Sequence, residues 1–590
     1  MAIPEPLRPT RVLRRLHLAG VAIAQALLIL LMVHHRWAVW VSRPIALPGD
    51  ASIYLWFLSW WAWAIQHGVS LAHTGLVVAP WGNNVLWDTS VPLIFIPLSV
   101  MVQHHLLSLP LGYNLATFGG WWFSAVLAYW SYYLITRRIG ASAAGSLLVL
   151  ASAYFTNQAL GHADLMWVGF SYLLFAYAYL FGTRRLSARG LAWRWMLLGG
   201  CLWLTNEEYF VTTTVMVCLG LLFWIRWEVR AHLWSWPDIR RIATGAGLSL
   251  ALTLALVTPL MWWQIHTPDQ PFHPFSYLNV YQINAANVIV PVHTWWHYFT
   301  AVPLTGNIME QDGFLGVGFV CGFALLVYFT HREWPPAQKA LLAWVLALTV
   351  LAFGDFLVVD SRVPTDIPLP GLIFYALPIL NNIVLDRIMW GVFWGLGLVV
   401  AASLPKLRWA RWRIAAGLWL VFVLISWWPA PYPTLSLSAN RWISEAVAQH
   451  VVNAHTTLLV FPFDVLYDPD NNVLYTQIAN HFQYRLVDGY LSANDADIRY
   501  FNPLMEFWTI VHLYGPNVPA IRANQAHLGV YHRLFAKFLK DTRPTYVVLT
   551  PMAHERYMAR WLTQQLGPPA SRTGRTWWWR LNRRSLGVKP

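Results

Sequence analysis

The chain has 590 residues, of which 57% are hydrophobic and 11% charged, and its mean hydropathy is +0.44. So few charges, together with repeated apolar runs long enough to cross a bilayer, indicate a polytopic α-helical membrane protein and argue against a soluble domain. The formal net charge of +14 does not indicate nucleic-acid binding, because membrane proteins collect Lys and Arg in their cytoplasmic loops.

The first predicted element is an uncleaved helix that enters the membrane from the cytoplasm. A basic segment, Arg8–Arg15, precedes the uncharged run Leu16–Val33. A cleaved signal peptide has the same order, but this run is long for one and no convincing cleavage site follows it. We therefore predict a helix that ends near Val41.

Ten further spans follow if Lys and Arg are required to lie on the cytoplasmic side. They cover residues 113–135, 141–158, 165–181, 195–204 with its flanks, 210–227, 245–264, 314–329, 341–356 with its flanks, 388–404 and 414–428. The cytoplasmic segments then hold 20 Lys and Arg against 4 acidic residues. The scheme gives about 11 transmembrane helices, with the N-terminus inside, the C-terminus outside and Val91–Leu109 at the interface.

Asp50 follows a turn, Pro48-Gly49, at the start of the first outer loop, and the aromatic run Tyr54–Trp63 comes after it. Such a run is typical of an interfacial helix with an aromatic belt at the headgroup level. A lone carboxylate there is a candidate for chemistry. The alternative is a simple turn, since Pro, Gly and Asp are common turn residues.

Acidic residues recur in short connections on the predicted outer face. The groups are Asp50 with Asp88; Asp164, beside His162; Glu207 with Glu208, beside Tyr209; and Asp355 with Asp360 and Asp366. Ionisable groups at membrane depth are costly and usually mark a site or a pathway. Short hairpins should bring these acids together.

Simpler explanations exist for single members of these groups. Asp164 could cap the helix that follows it, and His162 could be a solvated interface histidine. Capping explains Glu207 and Glu208 less well, because one carboxylate suffices and a neighbouring like charge is costly. The pair therefore predicts that one of the two meets a cation, a metal or a sugar hydroxyl.

Arg387 is one of the few basic residues on the predicted outer face, at the start of an inward-running span. Its guanidinium could clamp a phosphate, or it could form a salt bridge with Asp386 or another acid. Phosphate-cradling loops and dinucleotide fingerprints are absent from the sequence, which argues against nucleotide chemistry.

Residues 1–428 are thus predicted to form the transmembrane module. Residues 429–440 read as a Pro-rich linker, and residues 441–590 as a small α/β domain. Thr457–Phe463 and Thr545–Leu549 are predicted strands, and Ala553–Leu566 is a predicted helix.

In their order and topology these features resemble the GT-C superfamily of polyprenyl-phosphate-sugar-dependent integral-membrane glycosyltransferases. The matching segments are Gly49-Asp50, the short acidic hairpins, Asn206–Tyr209, Leu380–Arg387, Phe461–Phe463, Asp488–Ser492 and Tyr546–Leu549. The resemblance implies a single inverting displacement, in which Asp50 takes the proton of an acceptor hydroxyl as that oxygen attacks the anomeric carbon. It also implies that the site and the C-terminal domain are extracytoplasmic, in the cytoplasmic membrane.

The resemblance further implies a set of substrate-binding residues, with Arg387 holding the departing lipid phosphate. The set is Asp88, His162, Asp164, Glu207, Glu208, Tyr209 and Arg387. A divalent cation, Mg²⁺ or Mn²⁺, could assist with Asp50, Asp164 and Glu207 as ligands. Gly49 stands where paired-acid members of the superfamily have a second acid, which leaves metal dependence open.

The implied partners are a polyprenyl-phosphate sugar donor and a protein, glycan or lipid acceptor. Two other functions stay open, namely a transporter or flippase of a lipid-linked saccharide and a non-catalytic protein of envelope assembly. Transporters usually have repeated halves and charges near the membrane midplane. This sequence has no visible repeat, and its acids gather at one predicted face, which favours the enzyme.

Overall fold

The computed structural model of the protein describes residues 11–86, 90–266, 281–296, 308–359, 364–377, 380, 383–462, 473–487, 489, 502–515 and 528–581. The chain divides into two compact units. Unit 1 consists of Met1–Trp40, Asn114–Pro259 and Pro274–Pro433. Unit 2 consists of Val41–Tyr113, Leu260–His273 and Thr434–Pro590. The domain boundary at the Pro-rich linker stays a prediction.

The α-helices of the described residues, in chain order, are α1 (Arg11–Met32), α2 (Asp50–His67), α3 (Pro92–Gln103), α4 (Leu109–Thr136), α5 (Ile139–Leu150), α6 (Ala153–Gln158), α7 (Gly169–Gly182), α8 (Ala188–Trp203), α9 (Glu207–Arg230), α10 (Trp236–His266), α11 (Val317–Thr330), α12 (Pro336–Ala352), α13 (Leu372–Tyr375), α14 (Met389–Ser403), α15 (Ala410–Ser426), α16 (Arg441–Ala448), α17 (Val473–Ala479), α18 (Asn502–Tyr514), α19 (Leu528–Thr542) and α20 (Glu555–Leu566). The strands are β1 (His73–Thr74), β2 (Asn83–Asn84), β3 (Thr457–Phe461), β4 (Arg485–Leu486), β5 (Tyr546–Leu549), β6 (Ser571–Thr573) and β7 (Thr576–Arg580).

Long apolar helices identify an integral membrane protein. Within the described residues, 4 helical stretches are long and apolar enough to cross a membrane: Leu165–Gly182, Glu207–Arg230, Trp236–His266 and Leu385–Lys406. Shorter apolar helices cover Leu16–Met32, Pro92–Gln103, Ile139–Leu150 and Pro336–Ala352. The full number of spans and their orientation stay predictions.

One predicted span is interrupted. The sequence predicts a continuous helix over residues 141–158, but α5 ends at Leu150 and α6 begins at Ala153. Ser152, between them, has an extended backbone with ψ of 151°. Its hydroxyl donates to the carbonyl of Val149 at 2.7 Å, the kind of local bond by which Ser competes with helix continuation.

In unit 1, α14 is buried along almost its whole length and packs against α5 and α12. Glycine allows the close approach to α5, because a Cβ added to Gly145 would lie 2.4 Å from the carbonyl oxygen of Gly397. A short 3-10 helix, Leu385–Ile388, leads directly into α14. The residues of this turn are therefore carried on one of the best-anchored helices of the unit.

Unit 2 contains a five-stranded mixed sheet in the order β4, β3, β5, β7, β6. Strand β3 pairs in parallel with β4 and β5, whereas β7 is antiparallel to β5 and β6. The central strands β3 and β5 are continuous apolar runs, as suits strands buried on both faces. Their side chains pack with aromatic residues of α18–α20, including Trp508, Phe538 and Trp561.

The aromatic run of α2 differs from the expected interfacial belt. Trp56, Trp60 and Trp61 are buried, and α2 packs against α3 and α17. The indole nitrogen of Trp56 donates to Oε1 of Gln477 at 2.7 Å. These side chains thus form part of the core of unit 2, since Trp buries a large apolar area.

Candidate functional site

The first turn of α9 carries Glu207 and Glu208, and Asn206 caps it. Oδ1 of Asn206 accepts a hydrogen bond from the backbone N–H of Tyr209 at 3.1 Å. Nδ2 of Asn206 donates to Oδ2 of the buried Asp164 at 2.6 Å. Asp164 makes no capping hydrogen bond to the 3-10 helix that follows it, so the capping interpretation is wrong in that form. It supports the cap of α9 through Asn206 instead.

Arg387 joins two acids from distant parts of unit 1. Its Nη1 donates to Oε2 of Glu208 at 2.7 Å, and its Nη2 donates to Oε1 of Glu310 at 2.6 Å. Its Nε donates to the other oxygen of Glu310 at 3.3 Å. Glu208 also accepts from the backbone N–H of Val384 at 3.1 Å. The salt-bridge interpretation of Arg387 is therefore confirmed, with Glu208 and Glu310 as partners, and the prediction that one acid of the pair Glu207 and Glu208 meets a cation is confirmed for Glu208.

Gln158, at the end of α6, bridges two acids and a histidine. Its amide nitrogen donates to Oδ2 of Asp312 at 2.7 Å and to Oε2 of Glu310 at 3.3 Å. Its carbonyl oxygen contacts Nδ1 of His162, which lies 3.8 Å from Oε1 of Glu310. Because His162 is buried, its interpretation as a solvated interface histidine is wrong.

Glu310, Asp312 and Asp386 form a buried group that we call the acidic cluster. Each offers an oxygen atom, and these atoms all lie within 4.8 Å of one another. Burial, followed by the charge of Glu310, raises the pKa of Asp312 well above its usual value. For Glu310 burial also acts upward, but Arg387 and His162 outweigh it and lower the pKa.

The acidic cluster is the group of described residues whose spacing could hold a metal ion. The expected ligands Asp50, Asp164 and Glu207 do not form such a group within the described residues. Asp164 accepts a hydrogen bond from Asn206, and Glu207 is half-buried at the start of α9. Asp50 belongs to unit 2.

Tyr209 and Asp88 complete the expected binding set. Tyr209 is fully buried, and its hydroxyl donates to the carbonyl of Leu165 at 3.3 Å and contacts the hydroxyl of Tyr154. These contacts give it a packing role beside the cap of α9. Asp88 lies outside the described residues.

Asp50 is the first residue of α2 and is half-buried. Gly49 before it has φ of 110°, a conformation that favours glycine, so the predicted turn is present. In the first helical turn, free backbone N–H groups stabilise a carboxylate. The role of Asp50 as a base stays a prediction.

Sequence reasoning missed Glu310, Asp312 and Gln158, and it weighed Asp386 only as a partner of Arg387. One signal was available, the acid-x-acid pattern Glu310-Gln311-Asp312 in a predicted outer loop without Lys or Arg. No comparable signal marks Gln158, because a neutral amide near a helix end has many ordinary roles.

No protein-family model matches the chain, and no curated protein matches it. Among solved structures, it is similar to the arabinofuranosyltransferase AftD from Mycobacteria, with a TM-score of 0.52, 12% identity and coverage of 92% of this chain. The match covers 35% of AftD, so this chain spans about a third of that protein.

Two further likenesses have lower TM-scores. The archaeal oligosaccharyltransferase AglB from Archaeoglobus fulgidus, solved with an inhibitory peptide and a dolichol-phosphate, gives a TM-score of 0.44 at 12% identity, covering 92% of this chain and 70% of that one. ArnT from Cupriavidus metallidurans, bound to undecaprenyl phosphate, gives 0.44 at 12% identity, covering 95% and 97%. The likeness to AftD supports the expectation from the sequence: this chain has a GT-C-like fold.

Proposed function

We propose that the protein is a membrane glycosyltransferase that moves a sugar from a polyprenyl-phosphate-linked donor to an acceptor hydroxyl outside the cytoplasmic membrane. The acceptor oxygen forms a bond to the anomeric carbon while the bond from that carbon to the phosphate oxygen breaks. The acceptor proton passes to Asp50, and polyprenyl phosphate leaves with the bonding electron pair. The configuration of the anomeric carbon inverts.

Arg387 is the observation that carries this proposal. Its three hydrogen bonds to Glu208 and Glu310 use three of the five N–H donors of a guanidinium. Among the described residues, two N–H donors of Arg387 therefore remain without an acceptor, and its guanidinium is held by acids on two sides with 18% of the side chain exposed. A pre-oriented cation with spare donors suits a phosphate that gains charge as it leaves.

Asp50 supports the proposal from unit 2. A general base needs a fixed position and a charged form, and the start of α2 supplies both. The half-buried side chain is still accessible to an acceptor hydroxyl. The GT-C-like fold adds that a pentose is a reasonable first sugar to test, since the similar AftD is an arabinofuranosyltransferase.

The test uses the purified full-length protein in detergent, polyprenyl-phosphate-linked pentose and hexose donors, and a membrane extract as the source of acceptor. We expect sugar to enter the acceptor fraction and polyprenyl phosphate to be released in equal amounts. Asp50→Asn should lose both while keeping its affinity for the donor. Glu445→Gln, which changes an exposed acid, is the matched control.

A transporter or flippase gives a different result in the same material. In proteoliposomes it would move the intact lipid-linked sugar across the bilayer without breaking the bond to phosphate. Donor that stays intact with every acceptor fraction, or an Asp50→Asn variant that transfers sugar as the wild type does, would contradict the proposal.

A further inference from the structure

Within the described residues, the acidic cluster and Glu208 are four carboxylates beside two basic groups, namely Arg387 and His162, which lies 3.8 Å from Glu310. The three members of the cluster are Glu310, Asp312 and Asp386, which are 2%, 0% and 0% exposed. Among the described residues, the carboxylates paired with Arg387 are Glu310 and Glu208. The Arg387 guanidinium thus forms salt bridges with two acids, and the buried carboxylates of Asp312 and Asp386 lie nearby.

Asp386 is the acid of the cluster whose charge is least compensated by its neighbours. Both of its carboxylate oxygens are buried, and neither has a hydrogen-bond partner within the part of the chain that the structure describes. Oδ1 of Asp312 has none either, although Oδ2 accepts from Gln158. Burying a carboxylate without compensation is costly, and such groups in proteins are normally paired or bound to a metal.

Protonation explains this arrangement less well than a cation does. A neutral carboxylic acid carries an O–H group, which needs an acceptor when it is buried. A proton on Asp386 would give one of its oxygens a hydrogen to donate, but the other oxygen would still have no hydrogen-bond donor among the described residues. A metal ion, by contrast, is bound by lone pairs alone.

The spacing and the type of the ligand atoms define the class of ion. Oxygen ligands at about 2.0–2.6 Å from Mg²⁺ or Ca²⁺ lie roughly 3–5 Å from one another, and the oxygens of the cluster lie within 4.8 Å. Carboxylates without thiolate or imidazole ligands favour hard ions. We propose that Glu310, Asp312 and Asp386 bind one hard divalent cation of the Mg²⁺, Mn²⁺ and Ca²⁺ class.

The proposed ion joins two segments that are far apart in the chain. Glu310 and Asp312 lie in the loop before α11, and Asp386 lies in the 3-10 helix that leads into α14. Asp386 directly precedes Arg387, so a bound cation would also hold the backbone from which Arg387 reaches its acids. Cation binding needs no sugar donor, and its test can therefore fail or succeed independently of glycosyl transfer.

Mn²⁺ is a suitable probe because its free form is counted directly by electron paramagnetic resonance. The purified full-length protein in detergent is first stripped with a chelator and then titrated with Mn²⁺. We expect Asp386→Asn and Asp312→Asn each to bind one Mn²⁺ fewer per chain than the wild type. Mg²⁺ and Ca²⁺ should displace this equivalent, and Glu333→Gln, an exposed acid of unit 1, should keep it.

Thermal unfolding gives a second readout, which does not depend on the measured number of Mn²⁺ ions bound per chain. Mn²⁺ should raise the unfolding temperature of the wild type, because an ion that binds only the folded state stabilises it. In Asp386→Asn this rise should be lost, while the metal-free variant should be at least as stable as the metal-free wild type, since a buried charge is gone. Equal Mn²⁺ binding by wild type, Asp386→Asn and Asp312→Asn would overturn the proposal, as would a wild type that binds none.

Discussion

The acids of unit 1 and Asp50 of unit 2 are held in two different ways. In unit 1, Glu208 and Glu310 are fixed by Arg387, and Asp164 is fixed by Asn206. Asp50 is half-buried at the start of a helix, where backbone N–H groups favour its charge. The difference predicts a division of roles: Glu208, Glu310 and Asp164 stabilise the fold, whereas we expect Asp50 to contribute mainly to the reaction.

The largest effect is expected at Asp50 and should appear in catalysis alone. Asp50→Asn should lower the rate of sugar transfer by about 10²- to 10⁴-fold, the usual contribution of a general base. Its free energy of unfolding should change by no more than about 1 kcal/mol, the size of a charge interaction at a helix terminus. Transfer assays and thermal unfolding of the same preparation check both. A large loss of stability in Asp50→Asn would contradict the proposed difference between Asp50 and the salt-bridged acids of unit 1.

Removing Arg387 should damage the fold as well as the reaction. Arg387→Ala leaves Glu208 and the buried Glu310 without the guanidinium that balances their charges, which should cost about 3–5 kcal/mol in the free energy of unfolding. Arg408→Ala, which breaks a more exposed pair with Glu333, is the control and should change stability little. Denaturation in detergent measures the difference. Equal stability of the two variants would show that the buried pair is not structural.

The cap of α9 should give a smaller effect. Asn206→Ala removes the hydrogen bond to the N–H of Tyr209 and the one to Asp164. Loss of a cap costs about 0.5–2 kcal/mol, and Asn206→Asp should keep the cap while placing a second carboxylate against Asp164. We therefore expect both variants to be less stable than the wild type by thermal unfolding. Wild-type stability of Asn206→Ala would argue against the cap.

The smallest effect is expected at the exposed pair Arg441 and Glu445 on α16, whose side chains are 87% and 42% exposed. Exposed ion pairs are screened by water and salt. Glu445→Ala should therefore leave both the unfolding temperature and the sugar transfer rate unchanged. A measurable drop in the unfolding temperature or in the transfer rate would mean that the exposure of an ion pair does not predict whether it stabilises this protein.

Local features of the site were predictable from the sequence because their causes are local. The turn at Pro48-Gly49 and the aromatic run after it predict a helix in this region, and α2 begins at Asp50. The two adjacent acids after Asn206 predict a partner for one of them, although α9 begins at Glu207, three residues before the predicted span. Strands β3 and β5 follow from short β-branched runs between prolines. In each case the deciding residues lie within a few positions of one another.

The network around Arg387 could not be predicted in the same way. Glu208 and Arg387 are 179 positions apart, and Glu310 and Arg387 are 77 apart. Which acid meets the arginine depends on how the helices pack, and sequence spacing carries no information about that. The aromatic run of α2 has a related ambiguity, since Trp in a lipid interface and Trp in a protein core produce the same composition.

Gln158 determines which nitrogen of His162 carries a proton. Its amide nitrogen is committed to two carboxylates, so its carbonyl oxygen must face Nδ1 of His162. Because that oxygen only accepts, Nδ1 must be the protonated nitrogen, and in the neutral imidazole the lone pair lies at Nε2. A glutamine thus selects the tautomer, and Nε2 is the nitrogen of the neutral imidazole that can accept a proton.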